Sequence, residues 1–388
     1  MKRIIILAMA ILLAFGVNTN ILANSSENLS DETIKNIAIE FTESSLSDFS
    51  DFSSDYLIDE NATQLKEFLK DKRALKIIKE EKLGRRLNLI DLEIKDVRLE
   101  ELGDNCGITL KVAVNFLDGD VNSSLEYFNA IVINKITGKV IAASTNDLTA
   151  GTLLNNQTLN SAEDLISFSN YDSKNLMLES YKEDCSYNFD DSVKKFEAYV
   201  EEINNEELNS DKKEKLVLRR SNYRSFTSSD RQAMRTYQDR WFNGYNPDYA
   251  NYDGYGGDCT NYASQVLYSG CRTMYSRSGS GIAGSNYWFY RTSYDRSSSW
   301  TGVNELRSFL LNNTTKGPSG IISTTFGALV PGDIIQLGSG DNYYHSIVVY
   351  NQGGDPYVTA HSNSYSGYYS SRYGGSSNSK IHIDGYYY

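Results

Sequence analysis

Cys259 sits in Gly256-Gly257-Asp258-Cys259-Thr260-Asn261, with two glycines before it and the helix-compatible run Tyr262 to Tyr268 after it. Tyr262, Val266 and Tyr268 recur near helical spacing, and Gly270 can close the helix, so the pattern predicts Cys259 on a first helical turn. Unpaired backbone N–H groups and the positive end of the helix dipole favour an anion there. A thiol in that position loses its proton more readily, and the thiolate is the nucleophile. The glycines would let another chain, such as a substrate backbone, approach closely. The alternative reading is a small buried hydrophobe.

A nucleophilic cysteine needs a base, and the chain holds three histidines, His345, His361 and His382. Pro331-Gly332 introduces the apolar run Asp333 to Leu337. A polar loop follows, then His345 to Tyr350, the turn Asn351 to Asp355, and Pro356 to His361. Two β-branched runs around a glycine-rich turn read as a hairpin. A turn centred on Gly353 would set His345 directly opposite His361, on one face, with Cβ atoms roughly 5 Å apart. One imidazole could then orient the other, which is the nucleophile–base–orienter arrangement. Two histidines on one face are also half of a metal site. No Cys-x-x-Cys, His-x-x-x-His or Glu-x-x-His pattern supplies the rest, so neither metal nor cofactor is expected. His382, in an alternating terminal run, reads as a surface residue.

Four segments taken in order carry a resemblance: Gly256 to Gln265, Pro331 to Leu337, His345 to Val349 and Val358 to Ser362. Together they resemble the family described as "Putative amidase domain". They are similar also to the wider NlpC-type and CHAP-type branch of papain-like cysteine hydrolases. Asp239 to Asn243 and Asn246 to Tyr249 fit the entry segment of that family, and the likeness spans about Ser221 to Tyr388. Carried over residue by residue, it implies Cys259 as nucleophile, His345 as base and His361 as the third polar residue. The tail after His361 offers no further motif. The Cys259 N–H is the expected oxyanion donor, with the backbone at Tyr255 or beside Asp258 as a candidate second. Substrate contacts are expected from Tyr255, Asp258, Asn261 and Trp288.

The elements that must position these groups divide the chain. Met1-Lys2-Arg3, the apolar run Ile4 to Val17 and Ile21-Leu22-Ala23 read as a secretory signal peptide over 1–23, too short for a confident membrane span. The implied location is extracellular and cell-wall associated. Four cysteines in 388 residues do not make a disulfide scaffold, although Cys106 and Cys185 could pair. Cys271 reads as structural. Residues 24–150 pair amphipathic helices with four strand-like runs, Ile90 to Leu99, Gly107 to Phe116, Ser124 to Asn134 and Lys139 to Ser144. They are expected to form a small α+β antiparallel-sheet domain resembling a cone-shaped, nuclear-transport-factor-like module. Residues 151–218 read as a charged helical linker. Residues 219–388 are expected to be an independent α+β, papain-like (NlpC-type) cysteine hydrolase domain.

Composition changes at that last boundary. The segment from Arg219 holds 14 Lys+Arg against 11 Asp+Glu, 23 of the 29 tyrosines and all three tryptophans, whereas the whole chain carries −12. Net acidity argues against nucleic acid as a partner. Tyrosine and tryptophan suit wet, polar ligands such as glycans and peptides. The expected activity is that of a secreted cysteine-dependent amide hydrolase acting on bacterial cell-wall peptide (peptidoglycan). The alternatives are acyl transfer or lipid hydrolysis by the same triad, and a non-catalytic cell-wall binding module. Oligomeric state is not readable.

Overall fold

The computed structural model describes residues 28–46, 56–145, 189–208 and 222–388. The expected signal peptide, Cys185 and most of the expected linker lie outside them. No helix among the described residues is long and apolar enough to cross a membrane.

The first part holds α1 (Asp31–Leu46) and α2 (Thr63–Leu83), then β1 (Leu87–Leu102), β2 (Asn105–Asp118), β3 (Val121–Asn134) and β4 (Val140–Thr145). β1 and β2 run beyond the expected strands at both ends, β3 starts earlier than expected, and β4 lies one residue further along the chain. The turn after β3 forms because Asn134 Oδ1 accepts the N–H groups of Ile136 and Thr137. Next comes α3 (Phe189–Leu208), then β5 (Tyr223–Ser225), α4 (Ser228–Trp241) and α5 (Cys259–Cys271). Thr227 and Asp230 close a capping box on α4. Beyond α5 lie β6 (Tyr290–Thr292), β7 (Asp295–Arg296), α6 (Ser298–Thr301), α7 (Val303–Asn312) and β8 (Gly317–Ser323). The chain ends with β9 (Ile334–Ser339), β10 (Asn342–Asn351), β11 (Tyr357–Ala360), β12 (Tyr365–Tyr368), α8 (Tyr369–Tyr373) and β13 (Asn378–Tyr387).

The architecture is mixed α/β, built on one large antiparallel sheet of eleven strands in the order β1-β2-β3-β12-β11-β10-β9-β13-β5, with β4 on β3 and β8 on β13. Its central strands are apolar on both faces. Ile334, Val348, Ile381 and Ile383 join α4, α5 and α7 in one core, around Met234, Tyr262, Trp288, Trp300 and Phe309. Their neighbours Ile335, Leu337, Ile347 and Val349 face a second core. The period of two sends adjacent residues to opposite sides.

That second core crosses the expected domain boundary. It joins Ile108, Leu110 and Val112 of β2, and Phe196, Tyr199 and Val200 of α3, to Phe326, Val358, Tyr365, Tyr369 and Tyr373. The helix placed in the expected linker is therefore a core element, its apolar residues lying at i, i+3 and i+4. The sheet is continuous too, with Tyr365 paired to Leu125 and Ser366 to Ser124. A polar clamp reinforces the seam. Arg85, between α2 and β1, donates to Asp118 at 2.6 Å and also to Asp355 and Ser370. Tyr199 Oη donates to the other oxygen of Asp355 at 2.8 Å.

Two predictions follow from the shared core. Residues 219–388 expressed alone should bind a hydrophobic dye and lack a cooperative thermal transition, whereas the whole chain unfolds in one. A soluble, cooperatively folding fragment would show that the boundary splits the core without loss. Arg85→Met leaves Asp118 and Asp355 without their cation, and should lower the urea-unfolding free energy by about 3–5 kcal/mol.

Candidate active site

The start of α5 is built around Asp258. Its carboxylate accepts from Tyr252 N–H at 2.9 Å and Asn261 Nδ2 at 2.8 Å through Oδ1, and from His361 Nδ1 at 2.7 Å through Oδ2. With its oxygens committed, it gives α5 no side-chain cap. The helix-start amides are met instead by Ser362. Its Oγ accepts from Asp258 N–H at 2.6 Å and Cys259 N–H at 3.2 Å, and donates to Asp253 Oδ1 at 2.9 Å. Gly257, at φ +104°, makes room: a Cβ there would stand 3.0 Å from Ser362 Oγ. What approaches Gly257 closely is the protein's own Ser362 side chain. The helix runs past Gly270, which packs on Met234, and ends on left-handed Arg272.

Cys259 is a free thiol, 3% exposed. Its Sγ lies 3.8 Å from Thr260 Oγ1 and accepts from the Ser346 amide. Burial pushes the thiol up to about 11, over those hydrogen bonds, which favour the thiolate. Desolvation therefore outweighs the helix-start effect that the sequence suggests. Cys106 and Cys271 are also free and buried.

His345 is 2% exposed and follows a register shift in the β9–β10 ladder between Tyr343 and His345. Such irregularities re-aim the following side chain. Its Nε2 lies 3.4 Å from Tyr373 Oη, and its Nδ1 is buried without a hydrogen-bond partner. Burial, then the field of Arg372, pushes the imidazole down to about 3. No hydrogen bond joins His345 to Cys259; the thiol meets the amide of the next residue.

His361 does not pair with His345. The hairpin sets Val348 against Thr359 and Val349 against Val358, one residue away from the expected register. A shift of one residue changes the face. Carried to the end of β11, this register sets Ser362, not His361, against His345. His361 faces the Asp258 carboxylate with Nδ1 and the Trp241 carbonyl, 2.6 Å away, with Nε2. Both ring nitrogens thus face oxygen acceptors of the protein. The ring stacks on Tyr262 at 4.1 Å. The two histidines are thus not adjacent ligands of one metal site.

The expected substrate contacts separate in the same way. Trp288 is fully buried, with Nε1 donating to Ser264. Asn261 donates to Ala250 O and accepts from Trp300 Nε1. Asp258 is 1% exposed. These three hold the fold rather than face a ligand. Tyr255 is exposed, on the turn just before the site. His382 is a partner of the buried Asp333, at 2.7 Å, not a free surface residue. The residues that sequence reasoning missed are Ser362, Ser346, Arg372 and Tyr373. Ser346 and Ser362 carried a sequence signal, each directly after a histidine of a recognised segment.

Residues 228–384 match the family described as "Putative amidase domain". That span holds every side chain of the site and supports amide hydrolysis in general. The "Uncharacterized protein YhbB" of Bacillus subtilis (strain 168) is 30% identical over 135 residues, covering 34% of this chain and 40% of that protein. The match therefore spans less than half the length of that relative. No solved structure matches.

The buried imidazole makes a pH prediction. His345 sits at about 3 in the fold against an ordinary 6.5. Between those values the unfolded chain binds a proton that the fold refuses, so its stabilising contribution is complete above 6.5 and is lost as pH falls. The unfolding free energy should drop by up to about 1.4 kcal/mol per pH unit in that window. His345→Gln should lack this component in urea titrations between pH 7 and 5. Equal slopes in parent and variant would mean that the ring is not held neutral.

Proposed function

We propose that this chain is a cysteine-dependent amide hydrolase, with Cys259 as nucleophile and His345 as general base. One observation carries the reading. Within the amidase-like span, a helix-start thiol lies against the backbone of Ser346, and the preceding residue is a histidine whose buried Nδ1 has no partner. Buried polar atoms are rarely left unpaired, and in this reading the orphaned imidazole nitrogen is the proton acceptor.

With Nε2–H toward Tyr373, Nδ1 carries the lone pair. It takes the thiol proton as sulfur bonds to the carbonyl carbon. The same proton passes to the leaving amine as the C–N bond breaks, leaving a thioester. Water, deprotonated by His345, then cleaves the thioester and restores the thiol. The amides of Asp258 and Cys259 converge on one oxygen, that of Ser362. A carbonyl oxygen replacing this hydroxyl would meet two donors at a helix start, the arrangement that stabilises an oxyanion. His361 serves in this reading as a brace through Asp258 rather than as the direct orienter of His345.

The likeness to NlpC-type hydrolases and the expected signal peptide favour bacterial cell-wall peptide, outside the cell, as the substrate. Mass spectrometry of peptidoglycan fragments after digestion tests this and identifies the bond. Cys259→Ala should abolish product while leaving the circular dichroism spectrum unchanged, and turnover by that variant would sink the mechanism. Removing a group that acts in a concerted set costs several orders of magnitude, so His345→Gln should lose at least about a thousandfold.

A further inference from the structure

Arg372 is a cation held in the interior without an anion. The side chain is 2% exposed, and among the described residues no carboxylate lies within ion-pair distance of it. Nη1 donates to Asn363 O at 2.9 Å, while Nε is buried with no partner. The guanidinium lies 5.1 Å from the centroid of the Tyr365 ring and 5.4 Å from that of Tyr373. Asp118 and Asp355, whose fields also reach Tyr365, are held by Arg85.

Burying a guanidinium without a counter-charge costs several kcal/mol, and ring faces with one carbonyl return only part of it. The position of the residue says what that cost could serve. The next residue, Tyr373, meets His345 Nε2, and Asn363 follows Ser362, which occupies the amides of Cys259 and Asp258. The unpaired cation thus borders both halves of the proposed catalytic pair.

We infer that Arg372 is a carboxylate-binding residue of this site, so that its substrate is an anionic peptide with a free carboxylate close to the scissile amide. The inference rests on the hydrolase reading above and adds a substrate class and a specificity residue to it. A bidentate carboxylate supplies the partner that Nε lacks, in the geometry the guanidinium fork prefers. It also has a consequence for the base. The field of Arg372 helps to hold His345 neutral. A bound carboxylate offsets that field, the lesser of the two causes after burial, and so raises the basicity of His345 in part.

The test compares alkylation of Cys259 in the full chain by iodoacetate, which is anionic, and iodoacetamide, which is neutral. Both are read by peptide mass spectrometry, and the ratio of rates is taken within each protein. Relative to the urea-unfolded chain, the native ratio should favour iodoacetate by roughly tenfold or more, the factor one charge-assisted hydrogen bond supports. Arg372→Met should bring the ratio back to the unfolded value, and Arg372→Lys should keep part of the preference. A native ratio equal to the unfolded one overturns the proposal. No labelling by either reagent over hours shows that no small anion reaches the thiol beside Arg372 and overturns this proposal, without bearing on the hydrolase reading.

Where Arg372→Met does not fold, the unaltered protein decides. N-acetylglycine or the α-amide of N-acetylaspartate should slow iodoacetamide labelling, and N-acetylglycinamide should not. The stronger protector shows whether a terminal or a side-chain carboxylate is read. Equal protection by all three, or none, overturns the assignment.

Discussion

The site depends on one buried carboxylate. Asp258 gathers an amide from the preceding loop, the side chain of Asn261 on the first turn of α5, and His361 at the end of β11. Through His361 the tie reaches the last residue of α4, at the Trp241 carbonyl. The preceding loop, the end of β11 and, through His361, the end of α4 are thereby tied to the turn that carries Cys259. An ionised carboxylate out of water is tolerated only when its lone pairs are met, so the position accepts little else. Because the carboxylate is fully used, it leaves α5 uncapped, and the helix-start amides fall to Ser362. The geometry around Cys259 thus descends from the way Asp258 is satisfied.

A second constraint acts from outside the amidase-like span. β12 pairs with β3, so the first part of the chain extends the sheet that carries the histidines. The Arg85 clamp binds Ser370 directly, and Ser371 through Asp118. Both serines belong to α8, the short helix that also carries Arg372 and Tyr373. The wall of the site behind His345 is therefore held by residues of the first part, which contributes position while contributing no proposed catalytic group.

Much of this was legible in the sequence, and the failures have physical causes. The helix after Cys259, the strand after Pro331-Gly332 and the hairpin followed from local period and turn residues. The hairpin register did not. It was inferred from a turn centred on Gly353, whereas the ladder shifts between Val349 and Asn351. One residue of slip moved His361 away from His345. The boundary near Arg219 was read from composition, which reports charge and aromatic content but not whether two segments share a core. Phe196 and Tyr199, buried against Phe326 and Tyr369, answer that question only in three dimensions. The sequence offers Trp288 and Asn261 as ligand contacts. Their polar atoms turned out to be satisfied within the fold.

In the proposed mechanism, burial also sets the order of the chemistry. With the thiol at about 11 and the imidazole at about 3, the ion pair lies on the order of 10 kcal/mol above the neutral pair, before their mutual attraction is counted. A resting thiolate–imidazolium pair is thus not the state this structure stores. What it stores is a neutral pair kept dry, with Ser362 Oγ between the two amides where a developing oxyanion would stand. Ser362 and Asn363 hold left-handed backbone, at φ 59° and 68°. For residues with a side chain this costs about 1 kcal/mol or more each. The strain is offset by the hydrogen bonds of Ser362 to α5 and Asp253. A ligand oxygen that took over those amides would remove that compensation.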